Sequence, residues 1–99
     1  METEPPVVAL AGDIDLATIP EARALVLAAV AAQPGCTVLV DVSAVTFMDS
    51  TGLGMLVAAH RQAEDGGGRI VLTGPTPPVR KVLEVTGLDK IFLVPPPSG

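Results

Sequence analysis

Three consecutive polar residues, Asp49, Ser50 and Thr51, carry the densest chemistry in this sequence. They stand between a strand-like run, Thr37 to Val42 with a short loop after it, and a helix-like run, Leu53 to Glu64. Asp, Ser and Thr all cap helix N-termini, where a side-chain oxygen accepts a hydrogen bond from one of the first free N–H groups. One cap needs one such residue. Here there are three, and two of them carry hydroxyls. Gly52 and Gly54 fall in the first turn, where each costs about 1 kcal/mol of helix propensity relative to alanine. Glycine there lets a neighbouring backbone or a phosphate come close. A phosphate on a hydroxyl at this point would meet the positive end of the helix dipole and exposed N–H groups. The residue types leave a plain helix cap and a modifiable site both open.

Other chemistries fit the sequence less well. Ser50 as a nucleophile needs a base, and the single histidine, His60, lies nearly three helical turns further on, roughly 15 Å at 1.5 Å per residue. The bases Arg61, Arg69, Arg80, Lys81 and Lys90 have no evident pairing with Ser50. Asp13, Asp15 and Asp49 could attract Mg²⁺, but such a trio is more often a solvated acidic edge. No cofactor or metal is expected. Cys36 stands alone, which excludes an internal disulfide or a cysteine metal quartet, and it reads as a small core hydrophobe. Gly66-Gly67-Gly68 lacks a following Lys-Ser/Thr and precedes a strand, so it reads as a turn and not as a phosphate loop.

Composition narrows the classes further. The chain has 99 residues, of which 48% are hydrophobic, enough for one domain with a genuine core. Phe47 and Phe92 are the only aromatic residues, and the formal net charge is −5. Without stacking platforms or a basic surface, nucleic-acid binding is not expected. The charge is uneven: residues 1–49 hold seven acids and one base, residues 50–99 four acids and five bases. The longest apolar run, Ala24 to Ala32, is nine residues, short of the ~20 that span a bilayer. With no secretory signal at the start, a cytoplasmic protein without membrane insertion is the expectation.

The elements that must position Asp49–Thr51 follow from periodicity and punctuation. Val7 to Ala11 reads as a strand stopped by Gly12. Thr18-Ile19-Pro20-Glu21 fits a capping box, followed by an inward stripe of Ala22, Leu25, Val26, Ala29 and Val30. Pro34-Gly35 ends that helix. Thr37 to Val42 reads as a strand covered on both faces. Leu53, Leu56, Val57 and His60 form the inward stripe of the second helix. Arg69 to Thr73 is a buried strand. Thr76-Pro77-Pro78 opens a third helix with Val79, Val82 and Leu83 inward, closed by Gly87 with Leu88 beyond. Ile91 to Val94 reads as a last strand. The order strand, helix, strand, helix, strand, helix, strand implies an α/β layer with a largely parallel sheet and right-handed crossovers. Functional loops then follow the carboxyl ends of the strands. That would gather Gly12–Asp15, Asp49–Thr51 and Gly74–Thr76 on one edge.

The run Val40-Asp41-Val42-Ser43-Ala44-Val45-Thr46-Phe47-Met48-Asp49-Ser50-Thr51-Gly52-Leu53-Gly54 closely resembles the signature of STAS-domain proteins, in particular bacterial anti-sigma factor antagonists. Gly12-Asp13-Ile14-Asp15 and Val82-Leu83-Glu84-Val85-Thr86-Gly87-Leu88-Asp89-Lys90-Ile91-Phe92 match that family as well. The likeness implies one STAS domain over residues 7–94, with frayed tails at 1–6 and 95–99. It implies a STAS-like α/β fold of four or more strands, mixed or mostly parallel, with about three helices. The family's usual extra N-terminal strand and final C-terminal helix are not evident in this sequence.

The resemblance also implies a role. In such proteins the serine after the aspartate, here Ser50, is phosphorylated by a partner that is both a histidine-kinase-like ATPase acting on serine and an anti-sigma factor. Thr51 is the alternative acceptor. The unphosphorylated form binds the anti-sigma factor and releases the sigma factor, phosphorylation breaks that binding, and a serine phosphatase resets it. The implied partner-binding surface comprises Asp13, Asp15, Asp49, Ser50, Thr51, Gly52 and Leu53. The chain is then a substrate and switch, not an enzyme. The alternative within the same family is a stand-alone adaptor subunit of a membrane transport system of the phospholipid type, in which the hydroxyl at position 50 supports docking without a phosphorylation cycle.

Overall fold

The central element is a twelve-residue strand, β2 (Thr37–Met48), and the rest of the fold is arranged on it. The computed structural model describes residues 5–93. In chain order these form β1 (Val7–Ile14), α1 (Ile19–Ala32), β2, α2 (Ser50–Asp65), β3 (Arg69–Thr73), α3 (Pro77–Thr86) and α4 (Asp89–Phe92). The sheet has the order β1-β2-β3, and both pairings are parallel, with Val8 beside Val40 and Val38 beside Ile70. Within the described residues this is three strands and four helices, where the sequence suggested four strands and three helices.

The difference lies at the C-terminal end. Ile91 and Phe92, expected in a strand, belong to α4, and Val94 lies outside the described residues. Gly87 at φ 77° ends α3, and the chain then winds directly into another turn, with the Ile91 and Phe92 N–H groups donating to the Leu88 carbonyl. That turn rolls Phe92 fully into the core. A four-residue apolar run buries equally well as a strand or as one helical turn, so periodicity cannot separate them. The frayed tails expected at 1–6 and 95–99 lie largely outside the described residues. Pro6 does not fit that expectation, since its carbonyl already accepts the Leu39 N–H at 2.9 Å.

Three further local expectations are revised. Gly12 does not stop β1, which continues to Ile14. Gly12 sits instead at φ 75° beside shifts in register, so a left-handed residue absorbs an irregularity while the strand carries on. β2 is not covered evenly on both faces: Val38, Val40 and Val42 are buried, while Thr37, Leu39 and Asp41 alternate with them half-buried. Leu25 points outward at 53% exposure, and α1 buries the narrower stripe of Ala22 and Val26, with Ala29 and Val30 against it. The α2 and α3 stripes lie as expected, with Leu53, Leu56, His60, Val79 and Leu83 buried. Burial of this single cluster, running from Val8 in β1 to Phe92 in α4, fixes the pitch at which α2 leaves the sheet.

Candidate functional site

β2 runs seven residues past Asp41, its last residue paired with β3 (to Thr73), and stays paired with β1 up to Ile14 beside Met48. The end of β2 therefore projects at the carboxyl edge with only β1 alongside. Asp49 comes next in extended conformation (φ −97°, ψ −177°), and α2 begins at once with Ser50. The Asp49 N–H reaches the Ile14 carbonyl at 3.5 Å. Asp49 is the helix cap: its Oδ1 accepts the Gly52 N–H at 3.0 Å and its carbonyl accepts the Leu53 N–H at 3.1 Å.

That assignment separates the three polar residues. Asp49 takes the capping role and is half-buried. Ser50 and Thr51 are exposed in the first turn of α2, and neither hydroxyl is engaged in a side-chain hydrogen bond among the described residues. The two glycines separate too. A Cβ on Gly52 would lie 2.9 Å from Met48 Cγ, 3.0 Å from Ile14 Cγ2 and 3.2 Å from the Ile14 carbonyl oxygen. Gly52 thus lets the start of α2 sit directly on the ends of β1 and β2. Gly54 is exposed and has nothing within 4 Å of that position. Leu53 is buried and holds the turn to the core.

Asp13 and Asp15 arrive at the same edge on the end of β1, with Asp13 beside Phe47 in register. Their carboxylates are not equivalent. Asp13 Oδ1 accepts the Thr46 hydroxyl at 2.6 Å, which fixes an exposed acid against the end of β2. Asp15 Oδ1 is turned inward on its own loop and accepts the Ala17 N–H at 3.0 Å and the Thr18 N–H at 3.2 Å. Thr18 precedes α1 but does not form the expected capping box. Its hydroxyl accepts the Asp15 N–H at 3.0 Å and donates to the Asp13 carbonyl at 2.8 Å, so it braces the acidic segment instead. The third loop is tied in lower down, where the Thr76 hydroxyl donates to the Val45 carbonyl at 2.9 Å.

Two residues that the sequence did not single out for this edge are Leu16, 76% exposed, and Phe47, 49% exposed. One lies just after the Asp13–Asp15 segment and the other precedes Asp49, so apolar surface flanks the hydroxyl pair. The available signal was Phe47 itself, one of two aromatics in the chain, placed against an acidic turn. His60 is not part of this site. It is buried near the far end of α2, where Nδ1 accepts the Ile70 N–H at 3.1 Å and Nε2 faces Glu64 at 3.3 Å.

Fold and site define a parallel α/β domain that presents two free hydroxyls on a helix start capped by its preceding aspartate. The chain belongs to the STAS-domain family. A family model described as Mlab, STAS domain, matches residues 1–95. An anti-sigma F factor antagonist of Lysinibacillus sphaericus is 33% identical over 82 residues, covering 83% of this chain and 70% of that protein. The structure of the anti-sigma factor antagonist SpoIIAA in its unphosphorylated form superposes with a TM-score of 0.76 at 31% identity, covering 93% of this chain and 81% of the other. The phosphorylated form of the Bacillus cell fate determinant SpoIIAA gives a TM-score of 0.66 at 30% identity, over 87% and 78% of the two chains. Among the described residues, no helix is long and apolar enough to cross a membrane.

Proposed function

We propose that this chain is an anti-sigma factor antagonist switched by phosphorylation of Ser50. One observation carries the reading: Asp49 supplies the cap, so the exposed Ser50 hydroxyl is left without a structural task. The similarity to an antagonist known in unphosphorylated and phosphorylated forms supports it. In this reading the unphosphorylated surface of Asp13, Asp15, Asp49, Ser50, Thr51, Gly52 and Leu53 docks on an anti-sigma factor that is also the serine kinase. Leu16 and Phe47 supply apolar anchors beside the charged groups. Phosphorylation adds about −1.5 to −2 charges next to Asp49 and Asp13. The free protein tolerates that charge, because the helix dipole and the first N–H groups of α2 face it. A partner surface shaped for the neutral hydroxyl and the existing acids does not, and the loss of a few kcal/mol lowers affinity by orders of magnitude. A serine phosphatase restores the binding form. Thr51, one residue on, is the second acceptor. The domain spans residues 7–94, works in the cytoplasm and acts as a switch, not a catalyst; its one histidine has both ring nitrogens engaged far from Ser50.

The test is affinity capture from a lysate of the source organism with wild type, Ser50→Ala and Ser50→Asp as parallel baits in the presence of ADP. Wild type and Ser50→Ala recover a histidine-kinase-like ATPase and Ser50→Asp does not. With purified kinase and ATP, Ser50→Ala resists labelling; full labelling of that variant moves the acceptor to Thr51. Equal recovery of transport-system subunits by all three baits would replace the switch with an adaptor role and reduce Ser50 to a docking residue.

A further inference from the structure

At the pole opposite Ser50, a cavity of about 550 Å³ opens between the C-terminal half of α2, the start of β3 and α4. Its volume falls within the range of small-ligand pockets, roughly 300–1,000 Å³. Val57, Leu88, Ile91 and Phe92 supply apolar wall, and Ile91 is 41% exposed at the rim. Arg61, Arg69 and Lys90 also line it. They are three of the six cations in a chain that carries eleven acids, so half of its positively charged side chains line this cavity. Among the described residues none of the three pairs with a carboxylate, and the Arg69 guanidinium makes a single hydrogen bond, from Nη2 to the Ile91 carbonyl at 3.3 Å. The lining acid, Glu64, is turned to His60 Nε2. His60 meets Phe92 edge to face with ring centroids 5.5 Å apart, and both side chains are buried, so no open aromatic face is offered for stacking a base.

We propose that this cavity binds a small anionic amphiphile, a phosphate or carboxylate head carried on a short apolar chain, as a free molecule. Two guanidinium groups and an ammonium match such a head, since arginine forks pair with carboxylate and phosphate oxygens in a bidentate manner. The apolar wall takes the chain. Glu64 lies about 20 Å along α2 from Ser50, so the cavity can be filled while the Ser50 edge is engaged or phosphorylated. The site is independent of the proposed switch.

The test is an amide chemical-shift titration of the full chain with octyl phosphate below its micelle concentration, with inorganic phosphate, octanol, tetraglutamate and phosphatidylglycerol vesicles as parallel probes. Octyl phosphate shifts Arg61, Gly68, Arg69 and Ile91 at submillimolar concentration and leaves Ser50 and Thr51 unmoved, while inorganic phosphate and octanol bind at least tenfold more weakly. The double variant Arg61→Gln/Lys90→Gln, both exposed positions, weakens octyl phosphate at least tenfold with an unchanged melting temperature. No shift at millimolar octyl phosphate, or shifts centred on Ser50, overturns the proposal. So does octanol binding as well as octyl phosphate, or inorganic phosphate doing so. Binding of tetraglutamate or of vesicles alone would replace it with an acidic protein partner or a membrane surface.

Discussion

Gly52 and Gly54 sit two residues apart in the same helical turn, yet replacing each with alanine should move stability in opposite directions. At Gly52 the added methyl lies 2.9 Å from Met48 Cγ and 3.0 Å from Ile14 Cγ2, and both side chains can yield a little. The Ile14 carbonyl oxygen at 3.2 Å is backbone, held in the β1–β2 pairing, and yields less. Overpacking of this kind costs about 1–3 kcal/mol. Against it stands the better helix propensity of alanine, about 1 kcal/mol. The net loss is about 1 kcal/mol, ~2 at the upper end. At Gly54 nothing lies within 4 Å, so only the propensity gain of about 0.5–1 kcal/mol remains. For a domain of this size, 1 kcal/mol corresponds to roughly 4–8 °C in melting temperature. Urea denaturation of the two variants and wild type, read as midpoints at constant slope, measures both effects. Because the clash pushes on Ile14, next to Asp13 and Asp15, Gly52→Ala should also weaken capture of the anti-sigma factor, and Gly54→Ala should not. Equal stabilisation by both substitutions would refute the close approach of α2 to the strand ends.

Removing the cap with Asp49→Ala should cost about 1 kcal/mol, while Asp49→Asn, which can still accept from the Gly52 N–H, retains most of the stability; equal midpoints for the two in urea would show that the carboxylate does not cap α2. His60→Phe keeps a ring against Phe92 but leaves the Ile70 N–H buried without an acceptor, at a cost of about 1–3 kcal/mol. An unchanged unfolding midpoint would count against that bond. The Ser43 hydroxyl, then its backbone N–H, hold the Asp41 carboxyl below the ordinary value of 3.8. A depressed folded-state value stabilises above the unfolded value and is lost as pH falls through the folded one. Ser43→Ala should therefore raise the Asp41 titration in a carbon-detected NMR experiment, and the stability difference from wild type should vanish in acid below 3.8. A titration that does not move would exclude the Ser43 hydroxyl as the cause and leave the backbone N–H, which alanine retains.

Much of the fold was legible because α2 and α3 show a helical period, while β2 and β3 are short β-branched, apolar runs bounded by turn residues. Leu53, Leu56 and His60 in α2 are buried where the spacing places them, whereas the alternate burial of Val38, Val40 and Val42 in β2 was hidden by the apolar residues between them. The final segment was not legible. Ile91 and Phe92 are too few to carry a period, and Gly87 closes α3 without dictating the conformation of the residues beyond it. The strand ends were obscured for a related reason. Glycine commonly breaks a strand, and here Gly12 at positive φ lets β1 continue, a choice made by pairing with β2 and not by the residue itself.

The site shows the same limit more sharply. Sequence identifies three residues capable of capping α2 and cannot divide the work among them, because Asp, Ser and Thr are near-equivalent caps. The division comes from backbone geometry. The last β2 pair is Met48 with Ile14, so the first residue after it, Asp49, stays extended and aims its carboxylate at the Gly52 N–H. Ser50 is then already helical, and its hydroxyl leaves the cap free and faces solvent. The tight seat of Gly52 on Met48 and Ile14 holds that geometry in place. A shift of one residue at the end of β2 would hand the cap to Ser50 and tie its hydroxyl into the helix start. The register of β1 on β2 shifts twice between Val8 beside Val40 and Ile14 beside Met48, and it is the register reached after those shifts that leaves the Ser50 hydroxyl outside the cap.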